Sequence, residues 1–418
     1  MFPKFVLVRQ KYKAEKIDDI EKALRDTIHS CGYDLGKFNG KTVGITVGSR
    51  GISQIPLIAR TIAQVVSENG GKPVIFAAMG SHGGGTAEGQ IEVLESLGVT
   101  EQSVGTEIRT CGDSMLLGTA ESGMPVYVNS LVSQFDSIII LNRIKQHTDF
   151  DDITESGLFK VMAIGMGNPQ GAKNIHAEAL NSGYGPAIRE AGAVMLEKLP
   201  IVMGIAVTEN WRHETNHIEA VLPENLLEAE KRILDNVKKS AVKLPVDTLD
   251  TLIIQEAGKN ISGTCVDTKV IGRIMIAGQK EPESPKIRTI AVLDFTDESH
   301  GNSMGLGVVD LVTRRVFDKI NIDATSLTGI TSTCLLQAKI PCVAKNDFEA
   351  VNAAFNCTGL RDISSIRAAV IKNTNALEYI AVTENVYDEI KNNDCIEKVG
   401  GPFELEFDSS GVLVSEIF

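Results

Sequence analysis

No pair of cysteines in the chain is spaced Cys-x-x-Cys. The seven cysteines stand at 31, 111, 265, 334, 342, 357 and 395. This odd, scattered set offers neither a disulfide framework nor a thiolate site for zinc or an iron–sulfur cluster. No apolar run reaches the roughly 18–20 residues that a membrane-spanning helix needs. The opening MFPKFVLVRQKYKAEK has too short an apolar stretch and no small-residue cleavage site, so no secretory leader is expected. Lysine and arginine form no block and the formal charge is −13. The chain therefore lacks the basic face that binding to nucleic-acid phosphates requires. These absences together lead us to expect a cytoplasmic protein with neither a nucleic-acid nor a membrane partner.

With 418 residues, 43% hydrophobic and 23% charged, the chain has globular composition and length enough for two cores. Short β-branched runs end in glycine and give way to helical periodicity. Residues 41–49 (KTVGITVGS), 72–81 (KPVIFAAMGS), 135–144 (FDSIIILNRI) and 201–207 (IVMGIAV) read as buried strands, with helices over 54–69 and 86–98. Apolar strands alternating with helices mark a mostly parallel sheet covered on both faces. Residues 222–244 read as one amphipathic helix entered at Pro223 and closed by Pro245, with glutamates early and lysines late. Further strands are expected at 250–256, at 288–295, and within LEYIAVTENV and FELEFDSSG. The expected fold is α/β with two domains of mostly parallel sheet. An N-terminal cofactor-binding domain spans 1–245, including the linker helix, and a second domain spans 246–418. The site is expected in the cleft between them, the second domain closing over the substrate.

Ligands of such sheets gather at the carboxyl ends of the strands, and the sequence keeps its glycines and histidines there. GSHGGG (80–85) follows a strand and carries His82 among glycines that can turn sharply and present N–H groups to an anion. GSRGISQIP (48–56) makes a similar turn with Arg50 at its apex, suited to a phosphate or carboxylate. His147 follows the strand at 135–144, and His300 lies in DESHGNSMG without an assigned role. His29 is expected on the surface of an N-terminal helix. HETNH (213–217) matches the zinc-hydrolase pattern His-Glu-x-x-His, but that chemistry needs a helix, and here the motif follows a strand and runs into a proline.

The stretch 157–176, GLFKVMAIGMGNPQGAKNIH, sets Lys160 in an apolar, glycine-rich run with His176 sixteen positions later. Burying an ammonium is costly unless it is paired or chemically changed. One reading has Lys160 snorkel to the surface. The other joins it to His82, His147 and His176, with two imidazoles as acid and base and a third available to a metal such as nickel, copper or zinc.

At these residues the chain resembles the nickel-dependent lactate racemase family, as a divergent member. The match comprises Arg50 with Pro56, the Gly-His loop with His82, then His147, Lys160 and His176, and is clearest over about 40–210. The resemblance implies a racemase or epimerase of a 2-hydroxy acid, an isomerase working by hydride transfer to and from a nickel-pincer pyridinium nucleotide. Lys160 would carry that cofactor covalently and His176 would ligate the nickel. His82 and His147 would be the catalytic pair. Arg50, Gly80, Ser81, Gly83 and Gly84 would bind near the cofactor and substrate. Enzymes that build the cofactor would be partners. Val47 stands where the family has an aspartate, and the interval from His147 to Lys160 is longer than the family's. A larger hydroxy acid or a sugar acid is therefore as well suited as lactate. The alternatives are a non-catalytic binder or carrier of a nickel or nucleotide cofactor, and a zinc hydrolase using His213, Glu214 and His217.

Overall fold

The strands of the chain are apolar enough to be covered on both faces, and the computed structural model, which describes residues 2–418, builds two compact α/β units from them. One comprises Ala14–Ala241 and the other Val242–Phe418 with the stretch up to Lys13. The division thus falls a few residues before the expected 245. The first strand, β1 (Phe5–Gln10), is drawn into the second unit because it pairs antiparallel with strands from the far end of the chain. Pairing between ends of a chain leaves no local signal in sequence.

In the unit Ala14–Ala241, β2 (Thr42–Val47), β3 (Lys72–Ala77) and β4 (Glu107–Arg109) lie parallel. A hairpin of β5 (Ser114–Thr119) and β6 (Pro125–Asn129) stands apart. The sheet continues through β7 (Ser137–Arg143), β8 (Ile201–Glu209) and antiparallel β9 (Thr215–Val221), in the order β4-β3-β2-β7-β8-β9. The run SIIIL in β7 explains the two-sided covering. Ile138 and Ile140 enter one core with Val74 and Phe76, while Ile139 and Leu141 enter the other with Ile45 and Ile75. Successive strand side chains point to opposite faces, and each fully buried Ile or Leu contributes about 1.5–3 kcal/mol.

Helices α1 (Ile20–Ser30) and α2 (Ile55–Glu68) cover one face. The helix α3 (Ala87–Ser96), capped by Thr86 Oγ1 at 3.1 Å from the Gly89 nitrogen, and the short α4 (Glu101–Val104) follow. The other face carries α5 (Leu158–Lys160), α6 (Asn168–Ser182), α7 (Tyr184–Lys198) and α8 (Leu226–Ser240). The expected helix over 222–244 is shorter at both ends. Pro223–Asn225 forms a separate 3₁₀ turn and the chain is extended at Ala241.

The strand order reverses between β2 and β7. From β2 the chain moves outward to β3 on one side, and from β7 to β8 on the other. Such a switch point leaves a crevice at the carboxyl ends of the strands, where loops diverge.

The second unit sets β10 (Thr248–Ala257), β11 (Lys286–Phe295), β12 (Leu311–Thr313), β13 (Cys342–Ala344) and β14 (Ala368–Ile371) parallel, then β15 (Tyr379–Thr383) and β16 (Ile396–Phe403). Its order is β13-β12-β11-β10-β14-β15-β1-β16, the last three joined antiparallel. FELEFDSSG, expected as a strand, lies almost wholly beyond β16, which ends at Phe403. No helix among the described residues is long and apolar enough to cross a membrane.

Candidate functional site

Three loops from adjacent carboxyl ends and the α5–α6 segment enclose a cavity of about 270 Å³. Its wall includes Arg50 after β2, Ser81 and His82 after β3, Lys145, His147 and Asp149 after β7, and Lys160 and His176 beyond. All belong to the unit Ala14–Ala241. Six of the nine expected site residues thus meet on one wall: His82, His147, Lys160, His176, Arg50 and Ser81.

Gly80, Gly83 and Gly84 are not on that wall. The structure gives the first two a packing reason instead. Gly80 has φ +61° and its N–H donates to the Gly165 carbonyl at 2.9 Å, with Ile164 directly alongside. A side chain on Gly83 would run into the Gly89 backbone.

Lys160 ends α5, and the chain then widens into a π-helical turn, Val161–Gly165, before α6. Such widened turns recur where a helix must present a functional side chain. Behind them, α8 acts as a strut. The fully buried Glu230 accepts the Phe159 N–H on Oε2 at 3.0 Å. Burial raises this carboxyl to about 7, against the pull of the Phe159 and Leu158 N–H groups. Two turns along α8, Lys238 meets the buried Glu155 at 2.6 Å, and Glu155 accepts the His147 N–H at 2.6 Å.

Lys160 keeps only a partial opening, toward the cavity. Burial lowers its pKa to about 8, with Lys145 and Arg50 adding to the effect and Asp149 and Glu155 opposing it. The lowered pKa leaves far more free amine near neutral pH than an ordinary lysine has, which suits Lys160 to act as a nucleophile. His82 keeps an edge open to solvent. Crowding by the cavity wall, then the charges of Arg50 and Lys160, lower its pKa to about 4. Ser49 Oγ sits in close contact with His82 Nδ1.

His176, on α6, is lowered to about 4 by burial and by Lys160, so its imidazole is neutral near pH 7. Its Nδ1 is 3.0 Å from the Tyr184 hydroxyl. Pairing through Nδ1–H leaves the Nε2 lone pair for a metal, the arrangement that orients metal-ligating histidines. No group of three or more His, Cys, Asp or Glu among the described residues is placed to hold a metal. A metal on His176 therefore needs its other ligands from a bound group. A neutral imidazole donor and a lysine amine on the wall of one cavity fit a metal-bearing group attached through Lys160.

Stacked aromatic rings connect the two histidines on this side. His147 lies on Phe150 at 4.7 Å between centroids, Phe150 on Tyr184 at 5.1 Å, and Tyr184 meets His176 edge-on at 5.6 Å. The loop bearing Arg50 is pinned by the Ser53 N–H, which donates to Glu209 Oε1 at 2.7 Å, and Arg143 pairs with the same carboxylate. Sequence reading missed Ser49, Asp149, Tyr184, Glu155 and Glu230. Ser49 and Asp149 stand one and two positions from residues already singled out, and that was their only signal.

HETNH does not form a helix. His213 sits in a turn with φ +59° facing Glu209 at 3.8 Å, and His217 lies in β9, 3.0 Å from Glu219. Alternation along a strand and a turn separate the two rings, so the zinc-hydrolase alternative has no site. His29 closes α1 on the surface, and His300 belongs to the second unit, in a turn after β11.

Residues 9–183 match the model of the lactate racemase N-terminal domain. No curated protein matches the sequence. Among solved structures, the chain is similar to the lactate racemase apoprotein from Thermoanaerobacterium thermosaccharolyticum. The identity is 13% and the TM-score 0.54, over 88% of this chain and 94% of that one. At that identity the likeness speaks for the fold alone. Through residues 9–183, fewer than half of its 418, the chain is similar to the lactate racemase N-terminal domain.

Proposed function

We propose that the chain is an isomerase that racemises or epimerises a 2-hydroxy acid, with a nickel-pincer nucleotide attached through Lys160 and ligated by His176. The observation that carries this reading is the convergence of Lys160, His176, His82, His147 and Arg50 on one cavity. When bound, the cofactor supplies a reversible hydride acceptor, chemistry that no side chain of the cavity can supply.

The chain's own residues have three tasks. Arg50 holds the substrate carboxylate with a planar, permanently charged guanidinium. His82 and His147 exchange the hydroxyl proton, one taking it as the α-hydrogen departs and either returning it. In the chain without cofactor the depressed His82 pKa leaves that ring neutral at pH 7, and loss of the Lys160 charge on attachment strengthens it as a base. The stacked rings of Phe150 and Tyr184 keep water away from one side of the cavity. The cationic side chains on the wall, Arg50, Arg143 and Lys145, suit an anionic substrate, lactate-like or a larger sugar acid.

The test is a panel of 2-hydroxy acids offered as single stereoisomers to protein made alongside the cofactor-building enzymes, with chiral analysis of the products. Inversion at the second carbon supports the enzyme. A His82→Ala, His147→Ala double variant that still inverts every accepted substrate overturns the acid–base roles. Full cofactor attachment with no inversion of any acid favours the carrier.

A further inference from the structure

Neutral His147 has its proton on the wrong nitrogen for the task just described. The Asp149 main-chain N–H donates to His147 Nδ1 at 3.0 Å. A ring nitrogen that accepts carries no hydrogen, so the proton of the neutral ring is on Nε2. In that tautomer Nε2 has no lone pair for a substrate hydroxyl.

The same residue carries the alternative partner. Asp149 Oδ2 stands 3.8 Å from Nδ1, just outside hydrogen-bond range. In the chain as it folds, that carboxylate also lies in the field of the Lys160 ammonium and is the foremost charge holding its proton on. Attachment of a cofactor through an amide-type bond at Lys160 removes that positive charge.

We propose that Asp149 sets the tautomer of His147, and that neutralising Lys160 transfers the ring from the Asp149 main-chain N–H to the Asp149 carboxylate. This rests on the acid–base role assigned to His147 above. In the transferred setting Nδ1–H donates to Oδ2 and Nε2 holds a lone pair. The substrate O–H bond breaks, an Nε2–H bond forms, and the imidazolium is held by the Asp149 carboxylate. Return of the proton reverses both bonds, and Nδ1 keeps its hydrogen throughout. Cofactor loading thereby prepares the base, and a chain lacking cofactor keeps His147 idle.

The chain's other charged and titratable groups around the ring come from several elements, Arg143 at the end of β7 among them. Arg50, His82 and His176 share the cavity wall with it, as does Lys145 on its own loop. Glu155 is bound to its main-chain N–H and to Lys238, and Tyr184 is reached through Phe150.

Nitrogen-15 NMR of histidine-labelled protein without cofactor tests the idea, with His147→Gln used to assign the signals. Neutral His147 is expected as the Nε2–H tautomer in the native chain, and as Nδ1–H in Lys160→Met. In the double variant Lys160→Met, Asp149→Asn it is expected back as Nε2–H. An unchanged tautomer in Lys160→Met overturns the proposal, and so does a change that survives Asp149→Asn. In loaded protein, Asp149→Asn is expected to lower kcat about 10- to 100-fold with KM within about twofold. A loss confined to KM also overturns it. The tautomer is read without turnover, so a switch seen in a chain that inverts no acid sinks the function and the proton transfer, and keeps only the control of the His147 tautomer by Asp149. Full inversion with no switch does the reverse.

Discussion

The Tyr184 hydroxyl lies 3.0 Å from His176 Nδ1, with the two rings edge to face at 5.6 Å. The pair spans the break between α6 and α7, and it fixes both the rotation of the imidazole and the nitrogen left for a metal. Partners of this kind typically account for about 10- to 100-fold in metal affinity. On the proposed function, Tyr184→Phe keeps the stacking and loses the hydroxyl. Nickel retained by loaded protein after dialysis against a chelator is expected to fall by that order, with cofactor mass on Lys160 unchanged.

Lys160→Met should abolish covalent attachment, seen as the absence of added mass in protein made with the cofactor-building enzymes. It should also change how stability responds to pH. The folded pKa of Lys160 is about 8, below its ordinary 10.5. Between those values the unfolded chain binds more protons, so native stability rises with pH. The destabilisation is complete below about pH 8 and is relieved toward 10.5, and at one unit per 1.36 kcal/mol it amounts to about 3 kcal/mol. Thermal unfolding from pH 7 to 10.5 is expected to show the variant more stable at pH 7, with the gap closing as pH rises.

Glu230 gives the opposite sign. Its folded pKa of about 7 lies above the ordinary 4.5, so the native state binds more protons between those values and loses stability as pH rises through them. Glu230→Gln keeps an acceptor for the Phe159 N–H and removes the buried charge. The variant should melt with the native chain near pH 4.5 and above it at pH 8. Coincident melting curves at pH 8 would show that Glu230 is not burdened by its burial.

His213→Ala and His217→Ala each remove a ring that does not line the cavity, His213 beside Glu209 and His217 beside Glu219. Inversion of any accepted hydroxy acid by loaded protein is expected to stay within about twofold of the native chain for both, a bound set by surface substitutions being near ±0.5 kcal/mol. A large drop would mean that the β8–β9 turn shapes the site.

The readable part of the site was its first ring. Glycine-punctuated strand ends marked the loops carrying Arg50, His82 and His147, because a parallel sheet delivers all its carboxyl ends to one edge. Lys160 and His176 stood out because an ammonium among apolar residues demands an explanation. The supporting contacts were not legible. Glu230 and Lys238 looked like ordinary charges on an amphipathic helix, and only the packing of α8 behind α5 makes one a buried partner of Phe159 and the other a partner of Glu155. Ser49 and Asp149 looked like loop polarity until their atoms met His82 and His147.

The amino-acid order by itself marked the main buried strands, the mostly parallel sheets, and the loops whose polar side chains meet at the cavity. Periodicity, glycine placement and the desolvation cost of a buried amine are local properties of a chain. Tertiary structure decided that β1 joins the second sheet, that HETNH is a turn and a strand, and that His147 Nδ1 accepts from the Asp149 main chain. Those outcomes depend on hydrogen bonds and burial between residues remote in sequence, whose direction and distance no local pattern encodes.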